Sequence, residues 1–266
     1  MLREFVADVS TLTHKEKPHG LVSFNSVNEF GVEGMYDSTD FLFMEIWKFH
    51  ADHLAQLTEI CRHHRGKRNQ RVVLKIYPAD MGLTAFPPNV LARILGASLA
   101  GGGSLMVAGE PDPESGRPHA LNSLFYPDHK PMEPSAGAVL RAYNLHDALH
   151  FGLTHGRNVR NVTVPVSLPD SIVTAFAAPD RGALTLRILH YGSQPRWDAD
   201  PGPQSPLTGQ VLRFALPGGA VPLVLFSSPD DPTTGKPSAV PFTVKDGMIE
   251  IPLPTVGTLA TVSLYY

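Results

Sequence analysis

Asp40-Phe41-Leu42-Phe43-Met44-Glu45-Ile46-Trp47 is a short apolar, aromatic-rich run with one carboxylate near its C-terminal end. Turn and polar residues hem it on both sides, so it reads as a buried β-strand. Side chains alternate along a strand, which puts Phe41, Phe43, Glu45 and Trp47 on one face and Leu42, Met44 and Ile46 on the other. A strand apolar on both faces belongs in a sheet covered on both sides, the habit of parallel α/β sheets. Glu45 is then a charge at the end of a buried strand. Burying a lone carboxylate is costly, so Glu45 is either paired structurally, with an arginine or a backbone amide, or stands at a mouth where chemistry happens.

Working outward, the segments on either side repeat the same alternation. Residues 2–9 place Leu2, Phe5, Val6 and Val9 at helical spacing, and residues 13–20 form a polar turn with Pro18 and Gly20. A strand is expected over 21–27, with Asn25 and Asn28 at its C-terminal end. Beyond the central strand, a helix over 51–64 carries Leu54, Leu57, Ile60 and Cys61 along one stripe. Residues 71–77, Arg-Val-Val-Leu-Lys-Ile-Tyr, form a third strand, followed by a loop with Pro78, Asp80 and Met81. Asn89 is positioned to cap a helix that buries Val90, Leu91, Ile94, Leu95 and Leu99 and ends at Gly101-Gly102-Gly103. A fourth strand follows at 104–108. A long Pro-rich stretch, 110–134, leads to a helix over 136–154. Strand and helix in this rhythm mean βαβ units and a parallel sheet, either half of an eight-stranded (β/α)8 TIM barrel or a small doubly wound sheet.

After about residue 161 the texture changes. Short strands are expected at 172–177, 184–190, 211–216, 221–226, 240–244, 248–253 and 259–265, separated by Pro, Gly, Asp and Asn. Asp246-Gly247 is a hairpin turn signal between two of them. Leu184, Leu186 and Ile188 alternate against Thr185 and Arg187. This pattern suggests an antiparallel β-sandwich. The expected organisation is α/β plus all-β, with domains at 1–162 and 163–266.

Bulk properties exclude several function classes. The formal net charge of −3 gives no basic field for nucleic acid or an anionic membrane. With 42% hydrophobic and 18% charged residues over 266 positions, a sizeable core is available. The single cysteine, Cys61, forms no intramolecular disulfide and is expected to pack on a helix face. Residues 1–5 show no basic segment followed by an apolar core, so no signal peptide is expected. No apolar run approaches the length of a membrane span. His146 and His150 lie one helical turn apart and His63-His64 end a helix; solvated helix positions are expected for them, and no metal or cofactor site is read from their spacing.

The central strand resembles the D-F-x-Y-x-E-x-W strand of glycoside hydrolase family 66, which holds the endo-dextranases and the cycloisomaltooligosaccharide glucanotransferases. Three further stretches agree in order. Leu21-Val22-Ser23-Phe24-Asn25-Ser26-Val27-Asn28 resembles the family's preceding strand, Phe125-Tyr126-Pro127 its Y-F-P segment, and Ser227-Ser228-Pro229-Asp230 suits its β-rich tail. The resemblance implies the C-terminal half of a (β/α)8 barrel followed by a β-sandwich, acting on α-1,6-glucan by a retaining mechanism. It makes Glu45 the general acid/base, in a pocket whose walls Phe43 and Trp47 would raise its pKa. It makes Asn25, Asn28, Trp47, Tyr77, Asp80 and Tyr126 the candidate substrate contacts, with an α-glucan polysaccharide or oligosaccharide as ligand. Trp197 and Tyr191 are further candidates for stacking on sugar rings.

The chain departs from the family in three places. The nucleophile of the family is an Asp on an earlier strand, which has no counterpart among the 44 residues before Glu45; Asp80 and Glu110 are the available substitutes. Met106, Val107 and Leu124 stand where the family usually carries polar groups. Little or no hydrolysis is therefore expected from the chain alone, and two open sheet edges would favour association. An extracellular location follows from the resemblance only. The rival expectations are a non-catalytic polysaccharide-binding or scaffold protein and an unrelated α/β enzyme with a β tail.

Overall fold

The computed structural model describes residues 1–77, 85–111, 114–116, 118–121, 131–156, 158–199, 202, 204–215, 223–231 and 235–266. The first part runs α1 (Leu2–Glu16), β1 (Asn25–Val27), β2 (Phe41–Glu45), α2 (Leu54–Arg68), β3 (Arg71–Lys75), α3 (Pro88–Ala100) and β4 (Ser104–Leu105). A short antiparallel hairpin, β5 (Gly109–Pro111) and β6 (Pro118–Ala120), precedes α4 (Pro134–Thr154). Strands follow: β7 (Arg160–Val162), β8 (Ser171–Ala178), β9 (Ala183–His190), β10 (Val211–Ala215) and β11 (Leu223–Ser227). The chain ends with β12 (Ser238–Ala239), β13 (Thr243–Lys245), β14 (Met248–Pro252) and β15 (Leu259–Tyr265).

Strands β1 to β4 form one parallel sheet in sequential order. A doubly wound sheet would reverse its order at a switch point, so that alternative is not the one observed. Two antiparallel sheets follow, of order β12-β11-β15-β9-β8-β7 and β10-β14-β13. One apolar cluster joins them, with Leu186, Ile188, Val224 and Val262 from the first and Leu212, Phe214, Ile249 and Ile251 from the second. None of these sheets closes on itself among the described residues.

The element boundaries differ from expectation where local chemistry permits. Helix α1 continues to Glu16, because Thr13 to Glu16 contain no helix breaker and the turn waits for Pro18. Asn89 sits inside the first turn of α3 rather than capping it; Pro88 opens the helix instead. Asp246 and Gly247 adopt φ of 54° and 74° and join β13 to β14 with Lys245 opposite Met248, the turn their sequence specifies.

Among the described residues the two faces of the parallel sheet are unequally covered, which corrects the expectation that β2 is buried on both. Leu42, Met44, Val72 and Leu74 are buried under α2 and α3, whereas Phe41, Phe43, Glu45 and Val73 on the other face are only half-buried. Helix α3 is the opposite case. From Val90 to Ala100 every residue is buried, because α3 lies between the parallel sheet and the six-stranded sheet. Leu189, Leu259 and Trp197 from the second half enter the same core as Leu42 and Leu74, so the two halves share one hydrophobic interior.

A helix end buried this way leaves carbonyls that water cannot reach. They are satisfied from three directions. The Thr58 hydroxyl donates to the Ala97 carbonyl at 3.1 Å, the Thr174 hydroxyl to that of Ala100, and the Arg187 guanidinium to that of Leu99. Arg187 is fully buried and ion-paired to Asp147 at 3.0 Å, and Asp147 also meets Arg71 at 2.7 Å. Thus β9 is not polar-out at Thr185 and Arg187; the helices cover that face. The glycine run closes the helix: Gly102 takes φ of 78°, and a Cβ on Gly101 would press into Cys61 Cβ at 2.6 Å and overlap the Thr58 carbonyl.

The histidines of α4 are buried, contrary to expectation, because α4 packs on the six-stranded sheet. The ring Nε2 of His146 is 2.8 Å from the Thr261 hydroxyl, and that of His150 is 2.8 Å from the Ser227 hydroxyl. Burial pushes His150 down to about 4 and His155 down to about 3, and holds His146 well below the usual imidazole range; Arg187 adds to the effect on all three, and Asp147 opposes it at His150 and His155. Arg65 and Arg71 also disfavour a charge on His155. Above about pH 6.5 folded and unfolded chains both hold neutral rings. Below it the unfolded chain binds protons that the fold excludes. Stability is therefore expected to fall as pH drops from about 6.5 toward about 4, by up to about 1.4 kcal/mol per pH unit for each histidine. Urea midpoints at about pH 7.5 and about pH 5 check this, and an unchanged midpoint contradicts it.

Candidate functional site

Strand β2 delivers Glu45 to its last position. Its in-register neighbours are Val27 on β1 and Lys75 on β3. Residues paired in a parallel ladder share a face, so Asn25, Val27, Phe43, Glu45, Val73 and Lys75 all point to the uncovered side. The Asn25 amide donates to Glu45 Oε2 at 3.1 Å. This brings together two of the residues expected from the sequence, Asn25 at the first position of β1 and Glu45 at the last of β2, the strand end where (β/α) folds place their chemistry.

Trp47 and Tyr77 continue the same side, two residues beyond Glu45 and Lys75. Their rings lie 5.4 Å apart at 42°. Trp47 is half-buried and Tyr77 buried. Lys75 extends under this pair, with Nζ 5.3 Å from the Tyr77 ring centroid. Only 3% of Lys75 is exposed, although it lies on the open face. Burial lowers its pKa, and the negative charge of Glu45 pulls it back up. Lys75 was absent from the sequence-based set. Its signal was faint: a charge two positions before the end of an otherwise apolar run, which becomes the neighbour of Glu45 only once the register is known.

Asn28 does not fit the expected substrate contact. Its side-chain oxygen accepts from the Trp47 backbone N–H at 2.9 Å, and its own N–H donates to the Glu45 carbonyl at 2.9 Å. It holds φ of 49°, a left-handed conformation that Asn tolerates better than most residues. Asn28 therefore staples the end of β1 to the end of β2 and sets where Glu45 sits. Asp80 and Tyr126 lie outside the described residues, as does Leu124.

The next residue, Glu29, also has positive φ, 64°, and turns away to the helix side. It meets His50 at 2.6 Å and the buried His64, whose other ring nitrogen is 2.7 Å from the Tyr36 hydroxyl. Hydrogen bonding to His64, with a further contribution from His50, lowers Glu29 to about 2 against the opposing effect of burial. This ties the connection between β1 and β2 down onto α2, so His64 is structural rather than solvated.

Trp197 is not available to a sugar. It is fully buried, its indole N–H donates to the Ala51 carbonyl at 2.6 Å, and its backbone N–H to that of Asp52 at 3.0 Å. Arg196 beside it pairs with Asp52 at 2.7 Å. The segment after β9 is thereby clasped onto the loop that follows β2. Among the described residues no group of three or more His, Cys, Asp or Glu could hold a metal ion, and no helix is long and apolar enough to cross a membrane. Cys61 is buried, and desolvation pushes its thiol up, away from thiolate chemistry.

No family model matches the sequence, and no curated protein matches it. By fold, the chain is similar to a cycloisomaltooligosaccharide glucanotransferase of Paenibacillus sp. in complex with cycloisomaltoheptaose, with TM-score 0.80 and 12% identity over 98% of this chain and 58% of that one. It is also similar to a glycoside hydrolase family 30 subfamily 8 xylanase of Clostridium acetobutylicum, with TM-score 0.53 and 9% identity over 100% of this chain and 59% of that one. The chain thus spans less than two thirds of either protein. At these identities the likeness establishes a glycoside-hydrolase-like fold.

The staple formed by Asn28 makes a checkable distinction. Asn28→Ala removes a hydrogen bond and strains a left-handed residue, and is expected to cost about 1–3 kcal/mol. Asn28→Gly loses the bond but accepts the backbone, and is expected to cost less. Urea denaturation of both variants decides; equal losses would assign the whole effect to the side-chain bond.

Proposed function

We propose that this chain is the C-terminal half of a (β/α)8 barrel of the family 66 type, residues 1–162, followed by an antiparallel β-sandwich, residues 163–266. In the whole barrel it acts on α-1,6-linked glucan, with Glu45 as the acid/base of a retaining mechanism. A polymeric glucan lies outside the cell, so the proposal carries an extracellular location.

The observation that supports this best is the setting of Glu45. It ends a strand of a sequentially ordered parallel sheet, on the uncovered face, oriented by Asn25 and flanked by the Trp47–Tyr77 pair. A retaining glycosidase needs a second carboxylate about 5–5.5 Å from the first. Glu45 is the only carboxylate on β1 to β4. The nucleophile then belongs to strands that would pair with the open edges, where Val27 and Met106 leave 42% and 38% of their surface exposed. Those strands would also cover Phe43 and Val73. In this reading the residues of this chain orient the glycosidic oxygen toward Glu45, stack the sugar on Trp47 and hold charge beside the carboxylate through Lys75.

A second reading is a non-catalytic polysaccharide-binding protein. The absence of a second carboxylate from the four parallel strands favours it.

Both are tested with dextran. The purified chain and Glu45→Gln are expected to release no reducing ends, while both are retarded in gels containing dextran. Release by the wild type that vanishes in Glu45→Gln would overturn the incomplete-barrel argument and place a working carboxylate pair within these 266 residues. No retardation by dextran would overturn the glucan reading itself.

A further inference from the structure

We propose that a cleft of about 480 Å³ on the all-β half, between the turn at Asp170 and the segment 204–210, is a second binding site, for a neutral oligosaccharide. Only the choice of glucan as the sugar rests on the function proposed above.

The cleft lies at the end of β9. Its volume falls in the range of small-ligand clefts, about 300–1,000 Å³. The chemistry of its walls narrows the ligand. Ser193, Gln204, Thr208 and Gln210 supply uncharged donors and acceptors, and Asp170 supplies a single carboxylate. Among the described residues no lysine or arginine lines it, so none of them attracts a phosphate or a carboxylate ligand. Asp170 is the one carboxylate among its described residues, too few for a divalent cation held by protein oxygens. Pro206 and Leu207 add an apolar floor. Hydroxyl-rich edges on an apolar face describe a sugar ring: its hydroxyls can donate to Asp170, accept from the glutamine amides and leave the ring face to pack on the prolyl and leucyl surface.

The cleft is also held in shape, which lowers the ordering cost of binding. His190 is buried at its base, with one ring nitrogen 3.1 Å from the Ser171 hydroxyl and the other 3.2 Å from the Ser205 carbonyl. The Tyr191 N–H donates to the Asp170 carbonyl at 2.9 Å and ties the ends of β8 and β9 together on one side of the cleft. Asp170 and Gly192 turn there with φ of 47° and 58°. The Gln204 amide donates to the Tyr191 carbonyl at 2.8 Å, which fixes the side chain while its oxygen and second N–H keep their bonding capacity. A reciprocal pair of backbone bonds between Leu207 and Val256, at 2.8 and 3.0 Å, pins the floor.

The connector that forms two of these walls also contacts the half that carries the parallel strands. Between them, it clasps the loop after β2 through Trp197 and Arg196, and the Gly202 carbonyl accepts from Asn89 at 3.1 Å in the first turn of α3. Both contacts lie on the side where the parallel strands end.

The test is a ¹H–¹⁵N NMR titration of the full chain with isomaltoheptaose, maltoheptaose and xylohexaose. Isomaltoheptaose is expected to shift the amides of Asp170, Gly192, Gln204 and Gln210. Gln204→Ala and Gln210→Ala are expected to weaken that binding about tenfold each, the loss of one or two hydrogen bonds, while Glu45→Gln leaves it unchanged. Shifts confined to β1, β2 and β3 and insensitive to the cleft variants would overturn the cleft and keep the glucan reading. Shifts at the cleft with maltoheptaose or xylohexaose alone would support the cleft and count against α-1,6-glucan. No cleft shifts with any of the three sugars would overturn the proposal.

Discussion

Everything in this molecule depends on satisfying the C-terminal end of α3 inside the protein. The helix is buried on all sides from Val90 to Ala100 because it lies between two sheets, so its last carbonyls have no access to water. The Gly101 and Gly102 N–H groups reach the Ala97 and Leu99 carbonyls, and leaving that of Ala100 unpaired would cost on the order of 1–3 kcal/mol. Thr58 from α2, Thr174 from β8 and Arg187 from β9 reach them from three directions. Arg187 brings a positive charge to the negative end of the helix dipole and is balanced by Asp147 on α4. Breaking that set would expose an unpaired buried charge and loosen the join between the parallel sheet and the β-rich half.

That join fixes the geometry at the other end of the parallel strands. Trp197 and Arg196 belong to the β-rich half by sequence, yet they hold the loop that follows β2. Asn28 ties β1 to β2 at the same level. Glu45 is thus carried at a strand end tied to β1, and its carboxylate accepts from the Asn25 amide. The sheet face around it is the less covered of the two: Phe43 and Val73 are half-buried, and Val27 and Met106 leave 42% and 38% of their surface exposed.

Much of this was legible in the residues, and the failures have one cause. The run around Glu45 announced a strand, the alternation of Leu184, Leu186 and Ile188 announced one buried face, and Asp246-Gly247 announced a hairpin, because each of these is a local rule. The histidines of α4 looked solvated because their partners, Thr261 and Ser227, are distant in sequence. Trp197 looked like a loop aromatic available for stacking because its Pro-rich surroundings say nothing about Ala51. Lys75 was overlooked because its relation to Glu45 is a matter of strand register, not of spacing along the chain.

The sequence by itself determined most of the strands and helices, and that one carboxylate stands at the end of an aromatic strand. Hydrophobic periodicity, glycine and proline act within a few residues and need no partner. Only the tertiary structure decided which face of β2 is open, that α3 is buried all round, that Trp197 is a clasp and that Lys75 lies beside Glu45. Burial and charge are properties of what packs against a residue, and here the packing partners come from the far end of the chain.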